Sequence, residues 1–186
     1  GRAIIIADAK RGDIGNTSCQ YARAILNTMG CDAITVSPYL GRDAIEPFIK
    51  NPDKGVFILA VTSNPSAREL QEHGGTSNPL YKKVIQLAVE LNQGDNIGLV
   101  VGATQIEVME DIRKQSKGMP WLIPGVGSQG GDLETALNIS HEHGMGIINV
   151  SRGILYAGNG SMKAVIQAAR DYSDKIRGIV CNPVNC

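Results

Sequence analysis

The 186-residue sequence is short of aromatic side chains, with two Phe, five Tyr and one Trp. It has no surplus charge either, because 18 Lys and Arg balance 18 Asp and Glu. A dedicated nucleic-acid binder needs phosphate-neutralising cations and stacking surface, so no nucleic-acid partner is expected. No apolar run approaches a membrane span and no signal-peptide pattern opens the chain, so no membrane partner is expected. The four cysteines, Cys19, Cys31, Cys181 and Cys186, form no CxxC pair and no disulfide framework. That usage fits a reducing, cytoplasmic compartment. Histidine is scarce as well: His73, His141 and His143 join no Cys or carboxylate set at zinc spacing, and no metal is expected. Cys19 and Cys31 read as small buried residues, and His141 and His143 as cations complementing a helix C-terminus.

Glycine is plentiful, 22 residues gathered at loop positions. An apolar content of 42% with 19% charged residues suits one soluble core. Six strands alternate with helices along the chain, the signature of a parallel α/β sheet. The apolar run 3–7 reads as a buried strand continuing into Asp8-Ala9-Lys10-Arg11-Gly12-Asp13. Thr17 or Ser18 can cap a helix reaching Met29, with Tyr21, Ile25 and Met29 on its buried stripe and Gly30 as its left-handed stop. Strands follow at 33–36, 56–61, 97–101, 121–123 and 147–150. The intervening helices fall at 43–49, at 80–92 with Val84, Leu87, Ala88 and Leu91 inward, and around Ile106, Met109 and Ile112. Asp132 can cap a helix over 133–143, and Ser161 one over 162–176. A doubly wound sheet and a piece of a barrel both satisfy this order.

The polar residues of interest follow strands, where parallel α/β folds keep their chemistry. If the first strand runs through its motif, Asp8 and Lys10, two apart, face the same way. Charges that are expensive to desolvate are seldom placed at a strand exit for stability alone. A lysine flanked by carboxylates suits proton donation better than Schiff-base chemistry. Gly125-x-Gly127-x-x-Gly130 formally matches a dinucleotide fingerprint. Its helix cap comes late, at Asp132, and the region where a ribose-binding acid belongs reads Asn149-Val150-Ser151-Arg152. Glycine-rich turns also cradle phosphate, and Arg152 after the next strand supplies a planar donor fork, so phosphate binding is the better reading. Ser63-Asn64-Pro65 offers a hydroxyl and an amide for a neutral polar ligand edge.

Together these motifs resemble the orotidine 5′-phosphate decarboxylase family. Asp8-x-Lys10-x-x-Asp13-Ile14-Gly15-Asn16-Thr17 is similar to its central motif, and Pro124-Gly125-Val126-Gly127-Ser128-Gln129-Gly130-Gly131-Asp132 to its phosphate-gripping loop. Thr62-Ser63-Asn64-Pro65 and Ser151-Arg152-Gly153 match two further segments in the right order. The resemblance implies a (β/α)8 TIM barrel of the ribulose-phosphate-binding type, with these six strands as its third to eighth. It implies decarboxylation of orotidine 5′-phosphate to uridine 5′-phosphate in pyrimidine biosynthesis, without cofactor. Asp8 would sit beside the substrate carboxylate, and Lys10 would protonate C6. Asp13 and Thr17 would enter the neighbouring active site of a homodimer. Ser63 would read the pyrimidine edge and Gln129 would bridge phosphate and base. Arg152, with Pro124, Gly130 and Gly153, would hold the phosphate end.

The family carries two strands before this motif, supplying an acid and a lysine to the charge network. Residues 1–180 are therefore expected to form the C-terminal three quarters of the barrel, with 181–186 an unassigned tail. The chain is expected to be a portion of a longer enzyme whose start is cleaved, absent from this sequence or carried on a companion segment. Two other readings stay open: a non-catalytic nucleotide-phosphate-binding fragment, and a magnesium-dependent sugar-phosphate decarboxylase or synthase sharing the D-x-K-x-x-D element.

Overall fold

Strand order distinguishes the two architectures that the sequence permits. The structure, a computed structural model, describes residues 3–116, 118–127 and 130–181. Its sheet is parallel throughout and runs β1 (Ile6–Arg11), β2 (Ala33–Val36), β3 (Gly55–Val61), β4 (Ile97–Val101), β5 (Trp121–Ile123) and β6 (Gly146–Ile148), each beside its neighbour in sequence. A doubly wound sheet would reverse that order at a switch point. Here it never reverses, so the sheet is an arc of a βα barrel.

Alternation along the strands separates two apolar layers. Ile34 and Val36, Val56, Ile58 and Ala60, Ile97, Leu99 and Val101, and Trp121 and Ile123 join the core beneath the helices. Ala33, Phe57, Val100 and Leu122 form a second, smaller cluster with Ile6, Leu59 and Ile147 on the inner face. Gly98 leaves room for it: a Cβ there would lie 2.6 Å from the Phe57 ring. The outer layer comprises α1 (Gly15–Ala22), which continues as a π-helical stretch over Arg23–Thr28, then α2 (Arg42–Ile49), α3 (Arg68–Gln71), α4 (Leu80–Leu91), α5 (Ile106–Gln115), α6 (Leu133–His141), α7 (Arg152–Leu155) and α8 (Met162–Val180). Buried Ser18 donates to the Ala44 carbonyl at 2.7 Å, tying α1 to α2.

Several local expectations change. Ile4 and Ile5 are 79% and 52% exposed, because the strand starts only at Ile6 and lies at one edge of the described sheet. The first helix begins at Gly15, so Thr17 and Ser18 lie inside it rather than capping it. Met29 is exposed rather than inward, since the wider π turns rotate it off the stripe that Ile25 occupies. Gly30 does adopt the left-handed stop, at φ 72°. On α4 the fully buried face is Tyr81, Ile85, Ala88 and Leu91, with Val84 and Leu87 only partly buried. α6 stops at His141 rather than His143, β6 ends at Ile148, α8 extends to Val180, and Ser161 caps α8 by position without a side-chain bond.

Candidate active site

The C-terminal ends of the strands collect the polar residues singled out by sequence. Ala7 and Ala9 of β1 pack toward the outer core, so Asp8 and Lys10 take the inner face between them. Asp8 Oδ1 and Lys10 Nζ are 2.6 Å apart, and both side chains are about half exposed. The pair is therefore formed yet open to a ligand. β1 reaches this geometry through an irregularity: its pairing with β2 shifts between Ala7 and Arg11, and Lys10 has φ 48°. A non-glycine residue in that region costs roughly 1–3 kcal/mol, a strain often found at functional sites. Thr35 of β2 meets both residues. Its hydroxyl donates to Asp8 Oδ1 at 2.9 Å and accepts from the Lys10 amide at 2.9 Å.

Past the strand, Gly12 lies close under β2, where a Cβ would be 3.1 Å from the Ser37 carbonyl oxygen. Asp13, half-buried, accepts from the Ile14 amide at 2.8 Å. Thr17 is exposed in the first turn of α1.

At the end of β3 the turn carrying Ser63 is held by two glutamines. Gln71 of α3 accepts from the Thr62 amide and donates through Nε2 to its hydroxyl, both at 2.9 Å, while Gln105 donates to the Thr62 carbonyl at 3.2 Å. Gly102, just beyond β4, lies against the same turn, and a Cβ there would be 2.9 Å from the Ser63 nitrogen. Half-buried Ser63 is thereby fixed from behind by groups on three segments.

Beyond β5, Pro124 accepts from the Ala103 amide at 2.8 Å, and the glycine loop closes on itself. Gly125, Gly127 and Gly130 have φ 94°, 78° and 79°, Gly130 donates to the Gly127 carbonyl, and Gly131 to that of Gly125. Asp132 accepts from the Glu134 and Thr135 amides, which satisfies the start of α6 with a carboxylate. A pyrophosphate would meet that negative charge, so the dinucleotide reading fails. Gln129 lies outside the described residues. Arg152, exposed, opens α7, and Gly153 follows it half-buried. Tyr172 of α8 joins the two loops: a Cβ at Gly127 would be 2.6 Å from its hydroxyl, and one at Gly153 2.9 Å.

The displaced pKa values include one group on this face, Asp132 at the end of the glycine loop, and others away from it. The Thr135 hydroxyl, helped by the Thr135 and Glu134 amides, holds Asp132 below the usual carboxylate range. Desolvation, then the Arg113 guanidinium, holds His141 below the usual imidazole value, which disfavours the cation expected at the end of α6. Arg113 is itself pushed down to about 10 by desolvation. Among the described residues, no three His, Cys, Asp or Glu side chains are grouped to hold a metal ion. No described helix is long and apolar enough to cross a membrane.

Asp8, Lys10, Asp13, Ser63, Pro124, Gly130, Arg152 and Gly153 thus lie at the C-terminal ends of β1, β3, β5 and β6, on one side of the sheet. Sequence reasoning missed Thr35, Gln71, Gln105 and Tyr172. Thr35 was a β-branched residue in a strand, and the others lay on helices or in a loop away from the motifs.

Comparison with known proteins fits this arrangement. The profile described as "Orotidine 5'-phosphate decarboxylase / HUMPS family" matches residues 1–169. A protein of Dehalococcoides mccartyi (strain CBDB1) named orotidine 5'-phosphate decarboxylase is 50% identical over 183 residues, 95% of this chain and 67% of that one. Its namesake in Haloarcula marismortui is 48% identical over 157 residues, 83% of this chain and 57% of that one. The chain spans about two thirds of the length of the Dehalococcoides relatives. Among solved structures, that of Leishmania donovani OMP decarboxylase superposes with a TM-score of 0.83 at 34% identity, covering 95% of this chain and 68% of that one. A putative orotidine-monophosphate-decarboxylase from Toxoplasma gondii gives 0.84 at 36% identity, with 96% and 69% covered.

Proposed function

The chain belongs to the orotidine 5'-phosphate decarboxylase / HUMPS family, and from that premise we propose that it decarboxylates orotidine 5′-phosphate to uridine 5′-phosphate in the cytosol. The observation that carries the reading is the Lys10 ammonium seated 2.6 Å from the Asp8 carboxylate at the open end of β1. When the C6–carboxylate bond breaks, carbon dioxide leaves and its bonding pair stays on C6. Lys10 delivers a proton to that carbon and regains one from solvent, so neither cofactor nor metal takes part. A fixed ammonium stabilises the carbanion as it forms, when electrostatic help is worth most. Binding energy from the remote phosphate, on Arg152 and the loop of Pro124, Gln129 and Gly130, is available to position the base. Ser63 reads the pyrimidine edge.

The six strands correspond to the third to eighth of an eight-stranded barrel within a domain spanning residues 1–180. Asp13 and Thr17 reach into the partner's site in a homodimer. Ile14, 62% exposed between them, suits a surface that a second subunit covers.

The test is loss of the orotate absorbance on mixing with orotidine 5′-phosphate, with and without chelator. Turnover insensitive to chelator is expected. A chelator-sensitive reaction would favour the magnesium-dependent alternative, and binding without turnover the non-catalytic fragment. Lys10→Ala should lower turnover by roughly 100- to 10,000-fold and retain uridine 5′-phosphate binding. Near-normal turnover in that variant would remove Lys10 as proton donor.

A further inference from the structure

We propose that Thr35 is a positioning residue for the reaction centre, its single hydroxyl setting both the Asp8 carboxylate and the Lys10 backbone. This rests on Lys10 being the proton donor. Thr35 is completely buried on the inner face of β2, in register with Phe57 and two residues from Ala33. A hydroxyl in such apolar company must find its partners locally. It has one proton and two lone pairs. The proton goes to Asp8 Oδ1 and a lone pair takes the Lys10 amide, both at 2.9 Å.

The shape of β1 explains why this side chain has that task. The ladder to β2 pairs Ala7 with Ile34, then jumps to Arg11 with Val36. Thr35 is the β2 residue facing the interruption. The positive φ of Lys10 accompanies the break, and the amide of Lys10 takes a side-chain acceptor on β2. The same hydroxyl fixes the carboxylate oxygen that lies 2.6 Å from Lys10 Nζ. Lys10 is consequently held at both ends, its main chain directly and its ammonium through Asp8. Errors of about 1 Å in placing a reacting group can cost on the order of 100-fold in rate.

The test compares wild type, Thr35→Val and Thr35→Ser by orotate absorbance and by hydrogen exchange of the Lys10 amide. Valine keeps the shape without the hydroxyl, and serine keeps the hydroxyl without the methyl. Thr35→Val should lower kcat roughly 10- to 100-fold with KM near wild type, and Thr35→Ser should recover most of the loss. Lys10 amide protection should vanish in the valine variant and persist in the serine one. Unchanged kcat with a protected amide in Thr35→Val would overturn the assignment, as would a serine variant as impaired as the valine one. If Thr35→Val does not fold, Thr35→Ala below its melting temperature carries the same comparison. If wild type itself fails to turn over orotidine 5′-phosphate, the proposed function falls. Amide exchange then decides the role of Thr35: protection in all three proteins overturns it, and loss confined to valine supports it.

Discussion

Arg152 joins the candidate site by geometry rather than by burial. It is exposed at the first position of a four-residue helix, and Tyr172 braces Gly153 beside it and Gly127 across from it. A guanidinium so placed can meet a phosphate with two parallel hydrogen bonds. Arg152→Ala should raise KM for orotidine 5′-phosphate by roughly 10-fold or more, the scale of a lost charged hydrogen bond. Steady-state kinetics check this, and an unchanged KM would remove Arg152 from the phosphate site. The strand-end position of Arg152 was legible because it is a local property of the sequence. Thr35 was not, because a threonine in an apolar strand is also an ordinary β-former. Only the broken ladder opposite it reveals the use of its hydroxyl. Tyr172 was hidden for a related reason: it acts across the fold, where sequence spacing carries no distance information.

Elements were legible where one physical signal dominated. Asp132 caps α6 as its sequence position predicts, and both the Glu134 and Thr135 amides turn to it. Met29 failed because periodicity assumes 3.6 residues per turn, whereas the stretch Arg23–Thr28 winds more widely. Ile4 and Ile5 failed because an apolar run does not reveal whether it lies inside a sheet or beyond its edge. The cap carries a pH consequence. The carboxyl of Asp132 titrates below its ordinary value of 3.8, so its stabilisation is present above that value and is lost as pH falls through the lowered one. Asp132→Ala should cost about 1 kcal/mol near neutral pH, or roughly 2–4 °C in Tm. The difference from wild type should shrink in strong acid. Thermal melts at pH 7 and pH 2.5 would measure it, and an equal difference at both would show that the charged cap is not its source.

At the scale of the whole molecule, the two ends of the strands are built for different purposes. The exit end carries exposed charge and a strained lysine, while the entry end is closed around Arg113. That guanidinium is 3% exposed, lies 3.8 Å from the Trp121 ring centroid, and donates twice to the Met119 carbonyl. Gly144 makes room for it, since a Cβ there would fall on the guanidinium nitrogen Nη1. Trp121 begins β5 and Pro124 follows its end, so Arg113 and the candidate site are separated by the length of that strand. In βα barrels the entry face serves stability and the exit face serves chemistry. Arg113→Ala should therefore destabilise the fold by about 2–4 kcal/mol, from lost packing and a lost cation–π contact. The same variant should leave kcat and KM unchanged below its melting temperature. Arg113→Lys should recover only part of the stability, because an ammonium cannot reproduce the planar stack over the indole. A fall in kcat without a fall in Tm would contradict this division of labour, since it would require the closed end of the arc to act on chemistry at the open one.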